Sequence, residues 1–250
     1  MDELYSDFIK GILIKLHVVT TSWDDGHKLD LKLANLLQKY NIKGTFYISP
    51  FYLKDRLSET EIKQLDRYHE IGAHTLTHVD LRSISIKEAE NEIGNSKLYL
   101  EKVLGHELNM FCYPKGLYNE QIKKIVRNYG FLGARTCNYG SFKLPTDPFE
   151  WQITLLTSNG SPLMAVKTIL NSKIPIKAIL DWEIRAKLLF DVFLRKGGVY
   201  HIWGHSWEIE QHDEWDKLER LLDYVSGKNE VQYRTNGEIL QEVHNRTDAK

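Results

Sequence analysis

The stretch TTSWDDGHKLD, Thr20 to Asp30, ends a β-branched run on two adjacent carboxylates, Asp24 and Asp25, set in a glycine turn. Side by side they repel, so one of them needs a task other than solvation. The plain structural reading is an Asx-type turn closing a strand. The choice between the two readings depends on what stands after each later strand, because this strand-turn-helix passage is the first of a series.

Leu33, Leu36, Leu37 and Tyr40 share one helical face. GTFYIS follows as a strand. Ser58 and Glu61 have capping-box spacing ahead of Ile62, Leu65 and Tyr68, and GAHTL is a short strand. Ser85 and Glu88 repeat the box and open a long helix bearing Ile86, Ala89, Ile93, Leu100 and Leu104, stopped by Gly105. LNMFCYP is a strand, Asn119 caps a helix with Ile122, Ile125, Val126 and Tyr129, and FLGART is a fifth strand. CNYGSFKLPTDPFE is rich in turn formers and reads as a loop, leading into WQITLLTS as one sixth strand. Helices near 163–171 and 182–196, the strand GGVYHIW, a helix near 213–225, and VQYRT with a helix near 237–245 complete the chain.

Repeated βα units make either an open doubly wound sheet or a closed barrel. Asp24 and Asp25 follow the first strand, His74 and His78 the third, Pro114 to Gly116 the fourth, Arg135 ends the fifth, and His205 follows the seventh. In an open sheet of sequential order the outer two strands would stand roughly 29 Å apart, at about 4.8 Å per strand. Closure gathers all these residues on one rim. The expectation is an α/β fold, a distorted (β/α) barrel of seven or eight strands, with residues 1–250 as a single domain.

Composition narrows the function. Thirty-three basic against thirty-four acidic residues give a net charge of -1 in 250 residues, with no basic stripe, which argues against nucleic acid. GILIKLHVV is too short and too interrupted to span a bilayer. The acidic start MDELYSD lacks the basic opening of a signal peptide, so the expected location is cytoplasmic. Cys112 and Cys137 make neither a disulfide framework nor a CxxC metal site.

His74 and His78 stand four apart, and two imidazoles with one carboxylate make a common open metal site. Each signal is weak alone: the pair could be surface histidines. Together with the double-Asp turn, the Pro114–Gly116 turn and His205 they form a constellation.

That constellation resembles the polysaccharide deacetylase family, also called NodB-homology or family 4 carbohydrate esterases. The family reads T-F-D-D-G where this chain has Ser22-Trp23-Asp24-Asp25-Gly26, and H-[ST]-x-x-H where it has His74-Thr75-Leu76-Thr77-His78. R-x-P-x-G is met in part by Cys112-Tyr113-Pro114-Lys115-Gly116, and L-x-H by Trp203-Gly204-His205. The resemblance implies metal-dependent removal of an N- or O-acetyl group from a sugar or glycan. By position it makes Asp24 the general base and His205 the general acid. Asp25, His74 and His78 would hold a divalent metal, with zinc the expected ion. A backbone N–H of Tyr113, Pro114, Lys115 or Gly116 would face the oxyanion.

The chain departs from the family where its third motif needs an arginine, since position 112 is cysteine. Arg135, ending the next strand, is the candidate replacement. Asp181-Trp182 matches the family's aspartate-tryptophan segment in letters only, and Asp181 reads as a helix cap. Glu208 is the alternative support for His205. His201, Trp203 and His205 share strand parity, but His201 lies roughly 13 Å deeper and reads as packing, as does His27. Three other readings stay open: a hydrolase of another amide or a cyclic ureide, a catalytically silent sugar-binding relative, and a two-His-one-carboxylate iron site. The sugar, the acyl group and the oligomeric state are not legible.

Overall fold

Strand β1 (His17–Asp25) is buried along all but its first residue, as a central parallel strand covered on both faces should be. The computed structural model describes residues 17–160 and 162–248; the N-terminal stretch MDELYSD, and Lys15 and Leu16 of the first expected strand, lie outside them. After β1 come α1 (Asp30–Lys39), β2 (Gly44–Ile48), α2 (Glu59–Asp66), β3 (Glu70–Ala73), α3 (Ile86–Leu104) and β4 (Met110–Cys112). Then follow α4 (Glu120–Asn128), β5 (Gly133–Tyr139), β6 (Trp151–Ile153), β7 (Leu155–Leu156), α5 (Pro162–Ser172) and α6 (Trp182–Lys196). Strand β8 (Gly198–Gly204), α7 (Ser206–Gln211), α8 (Trp215–Val225), β9 (Gln232–Tyr233) and α9 (Asn236–Asp248) complete the order.

The strands pair in the order β6-β5-β4-β3-β2-β1-β8-β7, all in parallel, with β9 added to β1. Since β6 and β7 are one stretch of chain, the path bends back on itself into a nearly closed (β/α) barrel. Both capping boxes are made, at Ser58 with Glu61 and at Ser85 with Glu88, and Asn119 caps α4 through Ile122 N.

WQITLLTS is not one strand. β6 pairs with β5 and β7 pairs with β8, and Thr154 between them switches partners. Its N–H donates to His201 O, while its hydroxyl donates to Ser141 O and Val199 O. The β5–β6 register also slips between Arg135 and Tyr139, which twists the segment from one neighbour to the other. β5 runs on through Tyr139 into the expected loop, and VQYRT shrinks to a two-residue strand.

Hydrophobic burial falls into two layers. Leu33, Leu37, Ile62, Ile93, Val126 and Phe190 lie among the side chains between strands and helices. A smaller cluster joins the barrel's inward residues Val18, Tyr47, Met110, Cys112 and Trp151 to Ile239, Leu240 and Val243 of α9. Asn236, the first residue of α9, plugs the barrel base: it accepts from Thr20 Oγ1 and donates to Tyr47 Oη and Thr45 Oγ1. The C-terminal helix therefore closes the lower end and leaves the upper end to the strand-following loops.

Candidate active site

Asp25 adopts φ 82° and Gly26 φ 74°, so the chain reverses sharply as it leaves β1. An aspartate tolerates this left-handed region better than most residues. At Gly26 a side chain is excluded twice, by φ and by Ile48, whose Cγ2 would lie 2.7 Å from an added Cβ. The turn sends the two carboxylates in different directions.

Asp24 meets a cation. Arg135 stands opposite Cys112 in the β4–β5 pair, and its Nη2 donates to both Asp24 carboxylate oxygens. Trp203 Nε1 donates to Oδ2 at 2.9 Å, and the guanidinium lies over the Trp203 and Tyr47 rings. Cys112, from the position of the missing motif arginine, also contacts Arg135 Nη2. Its small side chain leaves the space into which Arg135 reaches from one strand over. Burial opposes ionisation of Asp24, but Arg135, with His74 and His205, outweighs it and holds the carboxyl well below the usual range.

Asp25 meets imidazoles. Its Oδ1 lies 3.8 Å from His74 Nε2 and 3.5 Å from His78 Nε2, and its Oδ2 accepts from Trp207 Nε1 at 2.9 Å. Oδ1 is buried and accepts no hydrogen bond among the described residues. An orphaned buried carboxylate oxygen facing two ring nitrogens is costly unless a cation sits among them. His74 Nδ1 lies 2.8 Å from the Cys112 carbonyl, which can only accept, so the proton is on Nδ1 and Nε2 presents a lone pair. Burial pushes His74 down to about 4 and lowers His78 as well, which favours the neutral imidazoles a metal needs. Donor atoms of Asp25, His74 and His78 all lie within 4.8 Å of one another. The donor set fits a divalent ion. Asp24, His74 and Cys112 also cluster, but Arg135 already occupies Asp24 and Cys112.

The His74–His78 loop is tightly wound, with Thr75 and His78 at φ 64° and 59°. Glu92 of α3 holds it, accepting from Leu76 N, Thr77 N and Thr77 Oγ1 at 2.9–3.0 Å. Sequence reasoning missed Glu92, which there looks like one more charged residue on a helix surface. Tyr52, 44% exposed, stacks on His78.

His205 follows β8 and faces Asp25 Oδ2 from 4.0 Å. Its Nδ1 pairs with Glu208 Oε2 at 2.8 Å. Burial would lower its pKa, but Glu208 and the two aspartates overcome that and raise it, favouring the protonated form. Asp181 caps α6 through Glu183 N and Ile184 N, and Trp182 Nε1 donates to Glu214 Oε2 at 2.8 Å. His201 is buried below, bonded to Ser22 Oγ at 2.8 Å, and His27 accepts from Leu29 N within its own turn.

Tyr113 is buried, and Pro114–Gly116 form a 3-10 turn with Lys115 and Gly116 at positive φ. Tyr113 N donates to Arg135 O and Gly116 N to Tyr113 O, while Pro114 has no N–H. Among the described residues the Lys115 N–H finds no backbone acceptor, which makes it the turn's candidate donor to an incoming oxygen. Gly116 permits the close approach: an added Cβ would meet Cys137 N at 2.5 Å.

Residues 15–134 match the polysaccharide deacetylase family model. The peptidoglycan-N-acetylmuramic acid deacetylase PdaA of Bacillus subtilis is 26% identical over 133 residues, 52% of this chain and 49% of that protein. Chitin deacetylase 1 of Cryptococcus neoformans is 28% identical over 145 residues, 56% of this chain and 30% of that protein. The chain thus matches less than half the length of either relative. Among solved structures, a Mycobacterium smegmatis protein assigned to the polysaccharide deacetylases superposes with a TM-score of 0.67 at 17% identity, covering 94% of this chain and 92% of that one. A family 4 carbohydrate esterase pseudoenzyme of Bacillus anthracis gives 0.55 at 16% identity, covering 91% and 66%. At such identities these two likenesses concern the fold. The family match over residues 15–134, with the relatives beside it, supports a polysaccharide deacetylase family member.

Proposed function

We propose that the protein is a metal-dependent deacetylase that hydrolyses an acetyl group from an amino sugar or sugar hydroxyl within a glycan. The observation that carries the reading is the division of labour between the adjacent aspartates. Asp25 offers an orphaned oxygen to the His74–His78 pair, while Asp24 is held ionised by Arg135 beside it. Bound by Asp25, His74 and His78, a divalent ion, for which zinc is our assignment, would acidify a water and polarise the acetyl carbonyl.

The remaining groups account for the proton traffic. Asp24 accepts a proton from the attacking water as its oxygen bonds to the acetyl carbon. The Lys115 N–H faces the oxygen on which negative charge develops. His205, charged and oriented by Glu208, gives its proton to the departing sugar nitrogen or oxygen as the bond to the acetyl carbon breaks. Acetate and the free amine or alcohol result. A silent sugar-binding relative would need neither a guanidinium-held base nor a carboxylate-oriented acid.

The test is acetate release from chitin oligomers and acetylated xylan by zinc-loaded protein, with EDTA-treated protein as control. Release that disappears with EDTA and returns with zinc supports the reading. No release from any N- or O-acetylated glycan, with the metal bound, defeats it.

A further inference from the structure

Three consecutive residues after His205 each grip a different part of the site. Glu208 takes the ring of His205, Trp207 donates to Asp25, and Ser206 donates to Asp30. The third contact has no part in the chemistry above. Ser206 Oγ lies 2.5 Å from Asp30 Oδ1, both residues are 0% exposed, and 176 positions of sequence separate them.

Their places in the fold give the contact meaning. Asp30 is the first residue of α1, which follows the positive-φ Asp25–Gly26 turn that ends β1. Ser206 is the first residue of α7, and His205 lies between it and β8. Strands β1 and β8 are neighbours in register, with Trp23 opposite Gly204. The Ser206–Asp30 bond therefore ties together the first residues of the two helices that follow the base-and-ligand turn and the acid. Without it, α7 could shift against α1 and carry His205 and its Glu208 support away from the aspartates.

We propose that Asp30, through Ser206, is a positioning residue for the general acid His205. The idea rests on the deacetylase reading above, in which His205 delivers the leaving-group proton. Burial pushes the Asp30 carboxyl well up, which disfavours a further negative charge beside Asp24. An amide at this position would accept from Ser206 as well as the acid does.

The experiment compares wild type with Asp30→Ala, Asp30→Asn and Ser206→Ala, all zinc-loaded. The readouts are metal content, turnover of a chitin oligomer and of 4-nitrophenyl acetate, and the ring 15N–1H resonances of His205. For Asp30→Ala and Ser206→Ala we expect kcat on the N-acetyl substrate to fall roughly tenfold to a hundredfold. Aryl acetate turnover, whose leaving group needs no proton, should stay within about threefold, with metal content unchanged. The His205 resonances should move in both variants, and Asp30→Asn should restore turnover and resonances. If Asp30→Ala fails to fold, Ser206→Ala, which removes one oxygen, decides alone. Equal losses on both substrates, unmoved His205 resonances, or an Asp30→Asn variant as impaired as Asp30→Ala would overturn the proposal. Should wild type release no acetate at all, the deacetylase reading fails, and the His205 resonances still report whether Asp30 positions the ring.

Discussion

Arg135 and Cys112 face each other across the β4–β5 pair, and the arginine crosses that gap to grip Asp24. The guanidinium that the family pattern places on the fourth strand is here supplied by the fifth. A buried carboxylate robbed of its cation is expensive, so Arg135→Met should destabilise the fold by about 3–5 kcal/mol. It should also lower kcat/KM at least roughly a hundredfold by leaving the base unheld. Urea unfolding and acetate-release kinetics would measure the two effects. Unchanged stability and activity would show that the pair has no role.

Glu92 touches none of the proposed ligands but holds the loop between His74 and His78. Glu92→Ala should weaken zinc affinity about tenfold to a hundredfold with the global fold retained. Competition with a chromophoric chelator reads this directly. An unaltered zinc affinity would mean that the loop holds its shape without the carboxylate.

Acid should destabilise the fold through histidines buried as neutral rings. Burial pushes His69 down to about 4, and burial with the Arg135 cation pushes His201 down to about 3, from an ordinary 6.5. Between pH 6.5 and 4 the unfolded chain binds protons that the folded one refuses, so stability falls as pH falls. Each ring contributes up to ~1.4 kcal/mol per pH unit across that window. His69→Gln should flatten the stability-against-pH slope by close to one proton, measured by urea unfolding in EDTA at stepped pH. An unaltered slope would place the acid sensitivity elsewhere.

The legible part of this protein was local. The capping residues Ser58, Ser85 and Asn119 announced their helices because a cap is decided within four residues of chain. The adjacent aspartates and the His74–His78 spacing were visible for the same reason. What escaped depends on distant partners. Nothing in WQITLLTS shows that Thr154 exchanges one neighbouring strand for another, since both halves read as the same apolar run. Helix α7 is only Ser206–Gln211 and starts at the rim that carries the candidate site, so its polar sequence reads as loop. Glu92 and Asp30 look like ordinary surface carboxylates until the fold brings a loop and a serine to them.

The central claim is that Asp25, His74 and His78 hold one divalent metal. Elemental analysis after zinc loading and desalting tests it most directly, on wild type and on His78→Ala, with circular dichroism to confirm that the variant is folded. The account predicts about one zinc per wild-type chain and a large loss in the folded variant. Equal zinc in the two proteins, or none in wild type, would contradict it.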